Sequence, residues 1–200
     1  MSKLVGITLR QECCSFSKET RDQLDIRFYS LLKECDLIPI LLPNDETIVK
    51  EYLSKIKFSG FIFTGGGEPF PYSCYRTTRD CIEKILLEYS LVNDLPILGI
   101  CRGMLVLGVY FGTELVKVKG HVGLKHKIIN KNEEIQIKNS FHNWAIKEGN
   151  ESIQVNKLSE DGVIEAVINE KNKIYGIMWH PERMNKYEYD DIEFIHNIFK

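Results

Sequence analysis

The chain has 200 residues, 44% of them hydrophobic, and a formal net charge of −2. This length is enough for one well-buried domain, and we predict a single domain over residues 1–200. The near-zero charge excludes a basic surface that would recruit nucleic acid. Because no apolar run has the length of a signal peptide core or a membrane span, we expect a cytoplasmic protein without a membrane partner.

The six cysteines form no CxxC pair, and their spacing fits neither a zinc knuckle nor a secreted disulfide framework. We therefore expect reduced thiols, and only the surroundings of Cys101 distinguish it from the others.

Strand-length apolar runs alternate with helix-period stretches in the first half of the chain. The predicted strands are 4–8, 37–42, 58–64 and 96–100. The predicted helices are 20–35, 45–55 and 77–92. This alternation predicts βαβ units and a mostly parallel sheet covered on both faces.

After Gly112 the pattern changes to short alternating segments separated by polar turns. The predicted strands here are 114–118, 127–129, 134–137, 153–158, 163–168 and 174–178. They indicate antiparallel strands that either extend the main sheet or form a small flanking one, and a last helix is predicted over 189–199. The fold class is thus α/β, with a mostly parallel central sheet flanked by helices and a small antiparallel extension.

The motif Gly-Ile-Cys-Arg-Gly at 99–103 follows a buried strand and precedes a helix. A nucleophile at such a strand-to-helix elbow adopts a strained backbone and needs small neighbours two positions away, which Gly99 and Gly103 provide. The helix N-terminus favours a thiolate at Cys101, and the N–H of Arg102 would face an oxyanion. The alternative is a buried cysteine beside glycines that allow helix packing.

The segment Trp-His-Pro-Glu at 179–182 ends a predicted strand and places His180 and Glu182 on one face. Histidine is the base that a thiol needs near neutral pH, and a carboxylate on its other nitrogen fixes the tautomer. A structural histidine is the alternative, although the pairing with the cysteine elbow disfavours it.

Three glycines, Gly65 to Gly67, follow the strand at 58–64 and expose backbone N–H groups in an unobstructed loop. This loop belongs at the same carboxyl edge of the sheet as Cys101 and could supply a second oxyanion donor, or it is only a flexible turn.

With these motifs in this order, the sequence resembles the class I glutamine amidotransferase-like superfamily, which has a flavodoxin-like fold, and within it the γ-glutamyl hydrolase branch (peptidase family C26). The resemblance implies that Cys101 is the nucleophile, His180 the general base and acid, and Glu182 its orienting partner. It further implies oxyanion donors at the N–H groups of Gly66 and Arg102.

The resemblance also suggests a set of substrate-binding residues in this chain. They are Gly67, Glu68, the segment Asn139, Ser140, Phe141 and His142, and, for an anionic leaving group, Arg10, His121 and Arg183. A plain turn at 139–143 and solvated surface residues are the alternatives. Arg79, Asp80 and Glu83 resemble an RDxxE motif of the branch or form a charge cluster on a helix surface.

Leu105 departs from the family, which usually has glutamine four residues after the cysteine to contact the glutamyl group. The segments GITLR and NSFHN and the residues around His180 resemble those of γ-glutamyl-CDP-amidate hydrolases, which act in capsule decoration. γ-Glutamyl-GABA hydrolases share several of these segments.

We therefore expect a cysteine-dependent hydrolase that releases glutamate from a small-molecule γ-glutamyl amide through a thioester. We expect no metal or organic cofactor. A homodimer is compatible with this expectation. The alternatives are a glutaminase subunit that delivers ammonia to a partner synthase, a γ-glutamyl-GABA-type hydrolase, or a non-catalytic binding protein on the same scaffold.

Overall fold

The computed structural model describes residues 3–200; Met1 and Ser2, which the predicted domain 1–200 includes, lie outside the described residues. Within that range the strands are β1 Lys3–Thr8, β2 Arg10–Cys13, β3 Thr20–Gln23, β4 Leu37–Leu42, β5 Gly60–Phe63, β6 Ile97–Ile100, β7 Leu115–Lys117, β8 Val122–Asn130, β9 Ile135–Phe141, β10 Trp144–Ile146, β11 Gln154–Ser159, β12 Ile164–Asn169 and β13 Ile174–Ile177. The helices are α1 Arg27–Glu34, α2 Glu46–Lys55, α3 Thr78–Asn93, α4 Arg102–Tyr110 and α5 Tyr189–Ile198, with a 3-10 turn at Pro181–Arg183.

A nine-stranded sheet in the order β4-β1-β5-β6-β13-β12-β11-β8-β9 forms the centre of the described structure. The first five strands in this order run parallel to their neighbours, and β12, β11, β8 and β9 continue the sheet with antiparallel pairings. Two small antiparallel pairs, β2–β3 and β7–β10, flank it. The α/β fold class with a mostly parallel sheet and an antiparallel extension is confirmed.

Strands β5, β6 and β13 lie side by side and in parallel, with Phe63 opposite Gly99 and Ile177 opposite Ile100. Parallel strands end at the same edge of a sheet, where the ligand sites of open α/β folds lie. The glycine loop, the cysteine elbow and the histidine segment therefore emerge next to one another.

Local sequence explains these elements. Every residue of β5 and β6 is buried, as expected for interior parallel strands. Asp45 caps α2 by accepting a hydrogen bond from the N–H of Ile48, and Thr77 with Asp80 forms a capping box at the start of α3. Helix α3 packs against β5, and α4 packs against β5, β6 and β13.

Two sequence predictions need correction. Residues 20–23 do not begin a helix but form the exposed strand β3 paired with β2, and α1 begins only at Arg27, because the apolar spacing that buries Phe28, Leu31 and Leu32 starts there. The sequence pattern predicts the segment 174–178 as one of the antiparallel strands. It forms β13, which pairs antiparallel with β12 but parallel with β6. None of the helices formed by residues 3–200 has the length and apolar character needed to cross a membrane.

Candidate active site

Cys101 lies at a sharp turn between β6 and α4, with φ 53° and ψ −109°. This left-handed backbone is uncommon for a residue with a side chain and is typical of functional turns. A Cβ atom on Gly99 would lie 2.6 Å from the carbonyl carbon of Gly103, and one on Gly103 would lie 2.2 Å from the carbonyl oxygen of Phe63. Gly99 is therefore required by the close approach of β6 to the first turn of α4, and Gly103 by the close approach of α4 to β5. The positive φ at Cys101 is the observation that favours the elbow.

His180 and Glu182 follow β13 and face each other in the buried wall of the site. Nδ1 of His180 donates to Oε1 of Glu182 at 2.6 Å, and both side chains are 2% exposed. Because the carboxylate accepts this proton, Nε2 is the nitrogen available to Cys101. Burial lowers the pKa of His180, but hydrogen bonding to Cys101 and Glu182 outweighs it and raises the pKa to about 9.

The glycine loop lies directly against this pair. A Cβ atom on Gly65 would be 2.8 Å from Cε1 of His180 and 3.5 Å from Cβ of Cys101. Gly66 and Gly67 have φ values of 93° and 80°, which glycine adopts without strain. Among residues 3–200, the N–H groups of Gly66 and Gly67 donate to no backbone carbonyl, so they remain available to a ligand in the cleft.

Arg79 hydrogen-bonds to the backbone of the glycine loop. Its guanidinium donates to the carbonyl oxygens of Thr64, Gly65 and Gly66 at 2.5, 3.0 and 3.1 Å. Burial lowers the pKa of Arg79 to about 10, although the neighbouring Glu83 carboxylate opposes the shift.

Glu83 lies between two arginines and connects the loop to the elbow. It accepts from Nε of Arg79 at 2.8 Å and also pairs with Arg102, which reaches Asp80 at 2.6 Å. Arg79, Glu83 and Arg102 are at most 3% exposed. The alternative of a charge cluster on a helix surface is therefore wrong. This buried network fixes the relative positions of the loop and the first turn of α4, the two elements that carry the expected oxyanion donors.

A cleft of about 310 Å³ opens over Cys101 and His180. The predicted residues that line it are Arg10, Gly66, Gly67, Glu68, Arg102, Phe141, His142 and Arg183. Leu105, at the usual glutamine position, also lines it and is 3% exposed. Sequence reasoning missed Trp144, whose Nε1 donates to Glu68 at 2.9 Å; its place directly after the NSFHN segment was the available signal.

Two basic side chains form the outer part of the cleft. Arg10 packs its side chain where a Cβ atom of Gly66 would lie, and Arg183 stacks on the ring of Phe141 at 4.8 Å. Phe141 in turn contacts the ring of His180, with centroids 5.8 Å apart. The site therefore combines a thiol, an imidazole–carboxylate pair and two guanidinium groups.

Three predicted substrate-binding residues do not line this cleft. Asn139 hydrogen-bonds to the backbone of His180, and the hydroxyl of Ser140 donates to the carbonyl oxygen of His121 at 2.7 Å. His121 is 2% exposed, with its ring nitrogens facing Asp161 and Glu165. The structure assigns these side chains to the buried wall, because their polar atoms are already used inside the protein.

Comparisons with known proteins identify relatives of this chain. The family model for class I glutamine amidotransferases matches residues 21–198. The γ-glutamyl-CDP-amidate hydrolase of Campylobacter jejuni is 32% identical over 188 residues, covering 90% of each chain. A carbamoyl phosphate synthase small chain of Corynebacterium efficiens is 31% identical over 158 residues, 73% of this chain and 36% of that protein.

Among solved structures, a Thermoplasma acidophilum protein provisionally assigned as part of a GMP synthase shares the fold with a TM-score of 0.71 and 20% identity, covering 98% of this chain and 92% of that one. The family match and the amidate hydrolase relative support an enzyme that hydrolyses a glutamine-type amide. With the cysteine elbow, the His–Glu pair and the glycine loop at one sheet edge, this chain belongs to the class I glutamine amidotransferase family.

Proposed function

We propose that the protein hydrolyses a γ-glutamyl amide through a covalent thioester on Cys101. The observation that carries this proposal is the strained elbow at Cys101 next to His180, whose other nitrogen is held by Glu182 at 2.6 Å. A nucleophile, a base and a group that orients the base are the elements that thiol acyl transfer requires.

The reaction proceeds in two steps. The Cys101 thiolate attacks the γ-carbonyl carbon, the C–N bond breaks, and His180 gives its proton to the leaving nitrogen. Water then attacks the thioester while His180 accepts its proton, which releases glutamate and restores the thiolate. The N–H groups of Gly66 and Arg102 donate to the oxyanion in both steps.

The raised pKa of His180 suits the first step. With a pKa of about 9, the imidazole holds a proton at neutral pH, and that proton is needed by a poor leaving group such as an amine.

For the substrate we propose a γ-glutamyl amide with an anionic leaving portion, of the γ-glutamyl-CDP-amidate type used in capsule phosphoramidate synthesis. Arg10 and Arg183 line the cleft with their side chains 50% and 31% exposed, so both guanidinium groups are accessible to a diphosphate. The similarity to the Campylobacter jejuni enzyme supports the same assignment. Glu68, which also lines the cleft, is the carboxylate that we assign to the glutamyl amine.

The second candidate is a glutaminase that delivers ammonia to a synthase partner. The similarity to a carbamoyl phosphate synthase small chain favours it. Leu105 does not separate these candidates, because glutamine and γ-glutamyl-CDP-amidate present the same glutamyl group to this apolar side chain in the cleft. A γ-glutamyl-GABA-type hydrolase uses the same triad and differs only in its leaving group.

A substrate panel separates these candidates. We expect kcat/KM to be highest for γ-glutamyl-CDP-amidate, lower for γ-glutamyl-GABA and lowest for glutamine. Arg10→Ala and Arg183→Ala should each reduce kcat/KM for the CDP-amidate at least about tenfold and change glutamine turnover much less. Arg21→Ala, which removes an exposed arginine of β3 outside the cleft, is the matched control. A preference for glutamine, or equal losses on all substrates, would contradict the proposed leaving group.

A further inference from the structure

Three histidines converge on one buried carboxylate behind the cleft wall. Oε1 of Glu165 lies 3.2 Å from Nδ1 of His121, 3.2 Å from Nε2 of His142 and 3.5 Å from Nε2 of His126. Glu165 is 0% exposed, and His121 and His142 are 2% and 4% exposed. We call these four residues the histidine–glutamate cluster.

The outer nitrogens of two rings are held by other groups. Nδ1 of His142 lies 2.9 Å from the carbonyl oxygen of Trp144, which can only accept, so this nitrogen carries the proton. Nε2 of His121 lies 3.1 Å from the carboxylate of Asp161, which fixes that ring in the same way. In the neutral rings, the inner nitrogens therefore present bare lone pairs toward the oxygen of Glu165.

Lone pairs that face a carboxylate oxygen repel it unless a proton or a cation lies between them. Nδ1 of His121, Nε2 of His126 and Oε2 of Glu165 are buried without a hydrogen-bond partner among the described residues. Buried polar atoms of this kind are rare in proteins and need an explanation.

The distances from Glu165 to the three rings match those of a tetrahedral transition-metal site, and one ligand atom each of His121, His142 and Glu165 lies within 4.8 Å of the others. Zinc binds imidazole nitrogen and carboxylate oxygen at about 2.0–2.1 Å, so neighbouring ligand atoms of a tetrahedral site are about 3.3–3.4 Å apart. The three distances from Glu165 lie close to this value. Ligating histidines usually donate their other N–H to a carboxylate or a backbone carbonyl, as His121 and His142 do here.

We propose that His121, His126, His142 and Glu165 bind one divalent transition-metal ion of the zinc type. The ion joins His121 just before β8, His126 within β8, His142 just after β9 and Glu165 at the start of β12. It thereby stabilises the wall that carries Phe141 and Trp144 into the cleft. This inference departs from the expectation that the protein has no metal site.

The test is a titration of metal-free protein with Zn²⁺ in the Cys101→Ala background, so that the catalytic thiol cannot contribute a ligand. We expect one Zn²⁺ per chain and a rise in Tm with Zn²⁺. Glu165→Gln and His121→Asn should weaken binding at least about 100-fold, and Asp161→Asn about 10-fold, because it only orients His121. His196→Asn, which removes a histidine of α5 outside the cluster, should bind Zn²⁺ as before.

Cobalt distinguishes this cluster from the cysteines. Co²⁺ bound by nitrogen and oxygen should show tetrahedral visible bands without the near-ultraviolet sulfur-to-cobalt band that a thiolate ligand gives. Should Glu165→Gln fail to fold, His126→Asn provides the same comparison at the edge of the cluster. Binding that is absent in the parent protein, unchanged in both His121→Asn and His126→Asn, or accompanied by a sulfur band would overturn the proposal.

Discussion

Asn139 hydrogen-bonds to both backbone groups of His180: its Nδ2 donates to the carbonyl oxygen at 2.8 Å, and its Oδ1 accepts from the N–H at 2.8 Å. Both residues are at most 5% exposed. The end of β9 therefore sets the position of the imidazole that follows β13, although the two segments are not neighbours in the sheet.

Asn139→Ala should leave the N–H and the carbonyl oxygen of His180 buried and unpaired, at a cost of about 1–3 kcal/mol for each group. We expect kcat to fall more than KM rises, because the substitution disturbs the imidazole and not the cleft lining. Steady-state kinetics and urea unfolding measure the two effects. Ile137→Ala, at an exposed position on the same strand, is the control, and equal effects of both variants would contradict the positioning role.

The buried network around Glu83 should be sensitive to the loss of one charge. Glu83→Gln leaves Arg79 and Arg102 close together without their shared carboxylate, and breaking a buried ion network in this way costs about 3–5 kcal/mol. Lys84→Met removes the adjacent exposed pair with Glu88, where a change of about 0–1 kcal/mol is expected. Urea denaturation of both variants tests the contrast, and similar losses would show that burial does not distinguish the two pairs.

Leu105→Gln should restore a side-chain amide to the cleft. One added hydrogen bond to the glutamyl group contributes about 1 kcal/mol, so kcat/KM for glutamine should rise roughly fivefold to tenfold. Leu105→Met, which keeps the position apolar, should leave kcat/KM for glutamine unchanged. If the glutamine variant gains nothing over the methionine variant, the glutamyl group does not contact this position.

His180 should make the stability depend on pH. Its folded pKa of about 9 lies above the unfolded value of about 6.5, so the protonated folded state is favoured. The resulting stabilisation, on the order of 3 kcal/mol, is fully present below about pH 6.5 and disappears as the pH rises through about 9. The difference in unfolding free energy between the parent and His180→Gln should therefore shrink between about pH 6 and about pH 10. A difference that is constant over this range would contradict the raised pKa.

Local patterns in the sequence predicted much of the fold and the three motifs of the site. The strand at 37–42 lies at its predicted place, and the helices predicted over 45–55 and 77–92 form α2 and α3, which Asp45 and Thr77 cap. The strand–glycine–cysteine–glycine–helix order similarly specifies the elbow, because its steric demands are local.

Contacts between distant segments were not predictable in the same way. Asn139 and Ser140 resemble ligand groups in sequence, but their partners at His180 and His121 are decided by how β9 packs. The residues of the histidine–glutamate cluster are spread from His121 to Glu165 along the chain, so no short sequence motif predicts that they meet. The hairpin of β2 and β3 consists mostly of exposed polar residues. Their sequence has little hydrophobic periodicity from which the strands could be predicted.

The most direct measurement of the central claim is mass spectrometry of protein quenched during turnover of γ-glutamyl-CDP-amidate. A thioester intermediate predicts an added glutamyl group on the peptide that contains Cys101, its loss on hydrolysis, and neither adduct nor turnover in a folded Cys101→Ala variant, whereas Cys74→Ala behaves as the parent. Turnover that persists in Cys101→Ala, or a glutamyl group found on another residue, would contradict the account.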